Sequence, residues 1–79
     1  MRLDKYLKIS RLIKRRTIAN EACDSGRIFV NSKIAKASYD VKEGDVIEIK
    51  LGERVLKGEA LEINEHVLKN DASLMYKVL

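Results

Sequence analysis

The apolar period of this chain changes at Gly26. Before it, Leu3, Tyr6, Leu7 and Ser10 recur at i, i+3, i+4 and i+7, and Ile18, Ala19, Ala22 and Cys23 form a second stripe of the same kind. After it, Ile28 and Val30 alternate with Arg27, Phe29 and Asn31, and Val46 to Leu51 alternates again. The order is helix, helix, then short strands joined by tight turns. It predicts an α+β fold with a small antiparallel sheet.

Punctuation residues set the boundaries. Leu12 and Ile13 break the first helical spacing, so that helix is expected to end between Ile9 and Ile13, with a turn through Lys14-Arg15-Arg16. Thr17 suits a cap or first-turn position of the second helix, and Gly26 suits the left-handed residue that closes it. Asn31-Ser32-Lys33 predicts a tight turn into Ile34-Ala35-Lys36, although its Asn-Ser departs from the usual Asn-Gly. Val41 to Asp45 predicts a second turn with Gly44 at positive φ. Gly52-Glu53 then returns the chain into a strand from Arg54 to Ile63, in which Gly58 marks a bulge or a close approach. Residues 1–63 are expected to form the main body of one domain. Within 64–79 we expect a loop over Asn64–Asn70, a helical turn over Asp71–Met75 and a short packed extended end at Tyr76–Leu79. The start at Met1-Arg2 and the apolar end Val78-Leu79 read as a complete chain.

Several function classes are excluded or unsupported. A chain of 79 residues is one domain, and at that size folding hides only about 60–65% of the unfolded surface, leaving little room for a deep catalytic cavity. An apolar content of 46% still suffices for a compact core. Cys23 and His66 are the single cysteine and histidine, so one chain makes neither a disulfide nor a Cys/His zinc site, and no metal or cofactor is expected. Cys23 reads as a small buried apolar residue and His66 as a loop residue. The charged N-terminus and the lack of any apolar run near the roughly 18–20 residues of a membrane span predict a cytoplasmic protein that does not use a membrane. Gly26, Gly44, Gly52 and Gly58 are too scattered for a phosphate-cradling loop. Asp45, Glu48, Glu59 and Glu62 fall where strand alternation predicts a solvated acidic face, and no catalytic triad forms. The chain reads as a non-enzyme.

Charge supplies the positive signal. Residues 1–36 hold ten Lys or Arg against three acids, whereas 37–79 hold six against nine. Arg2, Lys5, Lys8 and Arg11 step along one side of the first helix, and Lys14, Arg15 and Arg16 follow in the turn. Such a face binds polyanions with a salt dependence of about 0.7–0.9 log units of affinity per log unit of salt for each phosphate contact. Arginine forks can grip phosphate bidentately, which favours Arg2, Arg11, Arg15 and Arg16 for defined contacts. DNA reading by the second helix is opposed by Asn20, Glu21 and Asp24 on its polar side, and the dispersed Tyr6, Phe29, Tyr39 and Tyr76 make a poor stacking platform. Structured RNA, held by its backbone and shape, fits best. A small DNA-binding regulator is the rival from another class.

Arg2-Leu3-Asp4-Lys5-Tyr6-Leu7, the turn Lys14-Arg15-Arg16-Thr17, Ala19, Gly26-Arg27-Ile28-Phe29-Val30-Asn31 and Val41 to Gly44-Asp45 together resemble the S-four-type RNA-binding domain, the alpha-L RNA-binding motif, over roughly residues 1–51. The resemblance implies two antiparallel helices on a small sheet. Leu7 to Thr17, Ala35-Lys36-Ala37-Ser38 and the Met75-Tyr76 ending are similar to the stand-alone members of that family in bacterial ribosome quality control, relatives of the heat-shock protein that binds obstructed large subunits. That likeness implies a monomeric factor on large-subunit rRNA. It would hold P-site peptidyl-tRNA while the partner RqcH recruits alanyl-tRNA for C-terminal poly-alanine tailing. It further implies that Arg2 and Arg16 contact rRNA, with Lys5, Lys14 and Arg15 on the same surface. Asp4 has two readings, orienting Arg2 or Arg16, or capping the first helix. Heat-shock-type movement of tRNA without tailing, and service as the RNA-binding appendage of an RNA-modifying enzyme, are the alternatives.

Overall fold

The computed structural model describes residues 1–63 and 75–79. Its elements are α1 (Leu3–Ile9), α2 (Arg16–Asp24), β1 (Ile28–Val30), β2 (Lys33–Ile34), β3 (Val46–Leu51), β4 (Arg54–Ala60) and β5 (Tyr76–Val78). Among the described residues the strands form one antiparallel sheet in the order β2-β1-β3-β4-β5, and α1 packs on α2. The expected α+β architecture is present. The loop expected over 64–70, most of the helical turn expected over 71–75 and His66 lie outside the described residues.

Period-2 alternation builds the sheet's inner face. Ile28 pairs with Ile49 and Val30 with Ile47, so four β-branched side chains meet on one side. They are buried together with Leu3, Tyr6 and Leu7 of α1 and Ala19 and Cys23 of α2. The Tyr6 hydroxyl donates to the Met75 carbonyl at 2.7 Å inside this core, tying α1 to the chain end that forms β5. Burial pushes the Cys23 thiol up to about 11, which suits a packing residue and not a nucleophile.

Gly26 closes α2 as its position predicts. With φ of 76°, it lets its own N–H reach the Cys23 carbonyl and the Arg27 N–H reach that of Ala22, which satisfies two helix-end acceptors. The β1–β2 connection is a two-residue turn with both Asn31 (φ 51°) and Ser32 (φ 70°) left-handed, the geometry that matches strand twist. Serine there fills a place usually taken by glycine.

Three expectations are corrected or narrowed. Ile18 is 49% exposed, so it does not belong to the inner stripe of α2. Ala19 and Cys23 hold that stripe, and Ile18 is turned about 100° away from Ala19. β4 ends at Ala60 instead of Ile63: its register with β3 ends at Glu59, opposite Val46, and its register with β5 at Ala60, opposite Tyr76. Gly58 is a close approach and not a bulge. It pairs in register with Ile47 and Val78, and a Cβ there would stand 3.4 Å from the Lys77 carbonyl oxygen.

Candidate nucleic-acid interface

The first backbone donors of α1 have no partner within the helix. The 37–41 segment supplies them: Leu3 N–H donates to the Tyr39 carbonyl at 2.8 Å and Asp4 N–H to that of Ala37 at 3.2 Å. The N-terminal ammonium pairs with Asp40 at 2.6 Å. The start of α1 is thereby stitched to a loop, and Arg2 and Asp4 are held in place.

Asp4 is 2% exposed, and its neighbours explain how a carboxylate survives there. One oxygen accepts from Arg2 Nε at 3.2 Å and from the Lys5 backbone N–H at 2.8 Å. The other accepts from Asn20 Nδ2 at 3.2 Å and Arg2 Nη2 at 3.4 Å, and lies 3.5 Å from Arg16 Nε. Burial, the largest single influence, pushes this carboxyl up. The Arg2 and Asn20 hydrogen bonds, the Lys5 N–H and the Arg16 charge outweigh it and hold the group below the usual carboxylate range. Asp4 is not the cap of α1, a position held by Arg2 without a side-chain cap bond; it lies inside the first turn, accepts the Lys5 N–H and meets both arginines.

Arg2 and Arg16 reach this carboxylate from the residue before α1 and the first residue of α2. Each side chain remains about half exposed, 51% and 50%. Arg16 meets the carboxylate through Nε. A pair of pre-oriented forks beside each other can grip the phosphates of an RNA backbone at small entropic cost.

Lys8, Arg11, Lys14 and Arg15 are exposed around this pair, and among the described residues none of the four has an ion pair; Lys5 is partly buried. Arg11 sits just past the end of α1 with φ of 66°, where an L-residue costs roughly 1–2 kcal/mol. The left-handed residue reverses the chain towards α2. The seven basic positions anticipated from sequence thus lie on α1, its flanks and the start of α2. Among the described residues, Arg2 and Arg16 are joined through a shared carboxylate.

Asn20 is part of the site, and the sequence reading missed it. It lies 16 residues from Asp4, and no local pattern marks it as the fourth member of the cluster. Asp45 is the opposite error. It is buried, not solvated, and accepts hydrogen bonds from Tyr39 Oη at 2.8 Å, the Lys42 N–H at 3.0 Å and Asn31 Nδ2 at 3.1 Å. Burial again pushes the carboxyl up, and these donors and the Lys42 charge hold it below the usual range. Glu48 is partly covered, 3.9 Å from Lys57, whereas Glu62 is exposed as expected.

Residues 1–47 match the family model of the S4 domain. The chain belongs to the S4 domain family. This S4 domain is 53% identical, over 99% of its length and 89% of the relative's, to a protein of Halalkalibacterium halodurans named RQC P-site tRNA stabilizing factor. It is 51% identical, over 100% of its length and 90% of the relative's, to the Streptococcus pneumoniae protein of the same name. Its fold matches the trimeric structure of heat shock protein 15 from Vibrio cholerae with a TM-score of 0.90 and 26% identity, covering 100% of this chain and 81% of that one. The alpha-L architecture and kinship with the ribosome quality-control group, both implied by the resemblance in sequence, are therefore found. Among the described residues, no helix is long and apolar enough to cross a membrane and no His, Cys, Asp and Glu cluster has the makings of a metal site.

Proposed function

We propose that this protein is a non-enzymatic, monomeric RNA-binding factor of the cytoplasm that acts in ribosome-associated quality control. It docks on obstructed large subunits through rRNA and holds P-site peptidyl-tRNA during C-terminal poly-alanine tailing with RqcH. The observation that carries the reading is the Asp4 cluster, which fixes two half-exposed arginines at the centre of a basic face. Identity of about half to proteins named RQC P-site tRNA stabilizing factor over nearly the whole chain supports the pathway.

The mechanism is electrostatic and geometric. Arg2 and Arg16 engage rRNA phosphates, Lys5, Lys8, Arg11, Lys14 and Arg15 add salt-sensitive attraction, and the rigid core braces the tRNA against leaving. The heat-shock-type alternative has the shared fold in its favour, but at 26% identity. Arg16→Ala should leave the fold intact and lower large-subunit binding about tenfold at moderate salt, the loss of one charge-assisted phosphate contact. Co-pelleting of the variant with subunits that carry peptidyl-tRNA checks this. Pelleting equal to the parent protein's would remove Arg16 from the interface.

A further inference from the structure

Asn20 joins the Asp4 cluster through its amide nitrogen, with Nδ2 donating to Asp4 Oδ2 at 3.2 Å. An ionised carboxylate only accepts hydrogen bonds, so it fixes which end of the amide meets it and leaves Oδ1 as the unused acceptor. Among the described residues Oδ1 has no hydrogen-bond partner, and no side-chain polar atom there is buried without one. Oδ1 is therefore open to solvent.

The same side chain lines an open hollow of about 390 Å3 together with Asp4, Arg16, Thr17 and Glu21. Residues 16 and 17 each stand about one turn before residue 20 on α2, which groups guanidinium, hydroxyl and amide on one patch of the helix. Arg16 Nε and Asn20 Nδ2 approach the same oxygen of Asp4, so the cation and the free acceptor are neighbours. The lone pairs of Asp4 are taken by donors from Arg2, Arg16, Asn20 and the Lys5 N–H. What stays open beside Arg16 is the Asn20 oxygen, the exposed Thr17 hydroxyl and the exposed Glu21 carboxylate. All three accept hydrogen bonds, and Glu21 repels a second phosphate. The hollow calls for a hydrogen-bond donor next to the phosphate that Arg16 grips.

We propose that Asn20 and Thr17 form a ribose subsite, in which the Asn20 carbonyl oxygen and the Thr17 hydroxyl hold the 2′-hydroxyl of the nucleotide bound by Arg16. A 2′-hydroxyl donates and accepts, as the threonine hydroxyl does, and one stands beside every phosphate of RNA and none of DNA. A basic face by itself attracts any polyanion. The inference rests on the reading of the Arg2–Arg16 face as RNA-binding, and adds to it the contacts that select the sugar.

The test titrates the full chain at low salt with a fluorescent RNA hairpin and with the same hairpin carrying 2′-fluoro in place of its 2′-hydroxyls, a change that keeps charge and A-form shape but removes the donor. The hydroxyl-bearing hairpin should bind about 5-fold or more tighter, the scale of one hydrogen bond. Asn20→Ala and, separately, Thr17→Val should each bring that ratio towards one. Thr17 is exposed and valine keeps its shape, so this variant folds. Asn20→Ala also removes a contact to Asp4 and lowers affinity as such; a purely structural role would weaken both hairpins alike and leave the ratio intact in both variants, which would overturn the subsite. Equal binding of the two hairpins by the parent protein would overturn it as well, and if inosine in place of guanosine then weakens binding, the donor is a base amino group. An Arg16→Ala variant in the same titrations keeps the two readings separate. If it binds both hairpins as the parent does while the ratio still depends on Asn20, the arginine grip is wrong and the sugar contact stands.

Discussion

Asp4 and Asp45 are both buried carboxylates held below their usual range, one in the basic half of the chain and one in the acidic half. Their partners differ. Asp4 is met by two guanidinium groups, an amide and a backbone N–H, and the cations continue into solvent. Asp45 is met by a phenol, an amide and a backbone N–H, with no arginine, and these donors belong to the β1–β2 turn and the 37–45 loop. Burial and pKa direction do not separate them. The nature of the donors does: a carboxylate that anchors outward cations positions a binding surface, whereas one ringed by neutral donors locks loops together.

The sharpest way to break the comparison is Asp45→Ala. It leaves the Tyr39 hydroxyl, the Asn31 amide and the Lys42 N–H without their acceptor, and the expected loss is about 3 kcal/mol of stability by urea denaturation. The folded fraction should still pellet with large subunits through Arg2 and Arg16. A stability loss within experimental error would show that the latch is dispensable.

Asp4→Asn should have the reverse profile and a smaller effect on folding. The freed arginines must be ordered on binding at roughly 0.5–1.5 kcal/mol each, so affinity for the large subunit should fall about tenfold although the net positive charge increases. Tighter binding would mean that charge alone governs the interface and that Asp4 orients nothing.

Acid titration sharpens the contrast further. Both carboxyls have folded values below the ordinary 3.8, so their stabilisation is fully present above the unfolded value and is lost as pH falls through the folded ones. Unfolding free energy should be level above about pH 5 and decline below about pH 4. Asp4→Asn and Asp45→Asn should each flatten part of that decline. An acid limb identical in parent and variants would place its origin elsewhere.

Much of the fold was legible because its signals are local. Gly26 as helix terminator, Asn31-Ser32 as a two-residue turn and the alternation of Val46–Leu51 each follow from residues within one turn or one strand. The basic face was legible for the same reason, since Arg2 to Arg16 fall on α1 and the turn after it. Asn20 was not, because its role depends on the angle at which α2 meets α1. Asp45 was misread because strand alternation places it outside, while Tyr39 and Asn31, 6 and 14 residues away, fold over it. Ile18 was misplaced because a helix of nine residues buries a stripe too narrow to include it.

The sequence by itself determined the order of helices and strands, the turn types and the side of the chain that is positive, since these depend on backbone preference and on charges counted along neighbouring residues. Tertiary structure alone decided which acids are buried, which arginines share one of them and that the last strand joins β4. Those outcomes depend on through-space distances, where a carboxylate leaves water only if donors from distant parts of the chain arrive together to replace it.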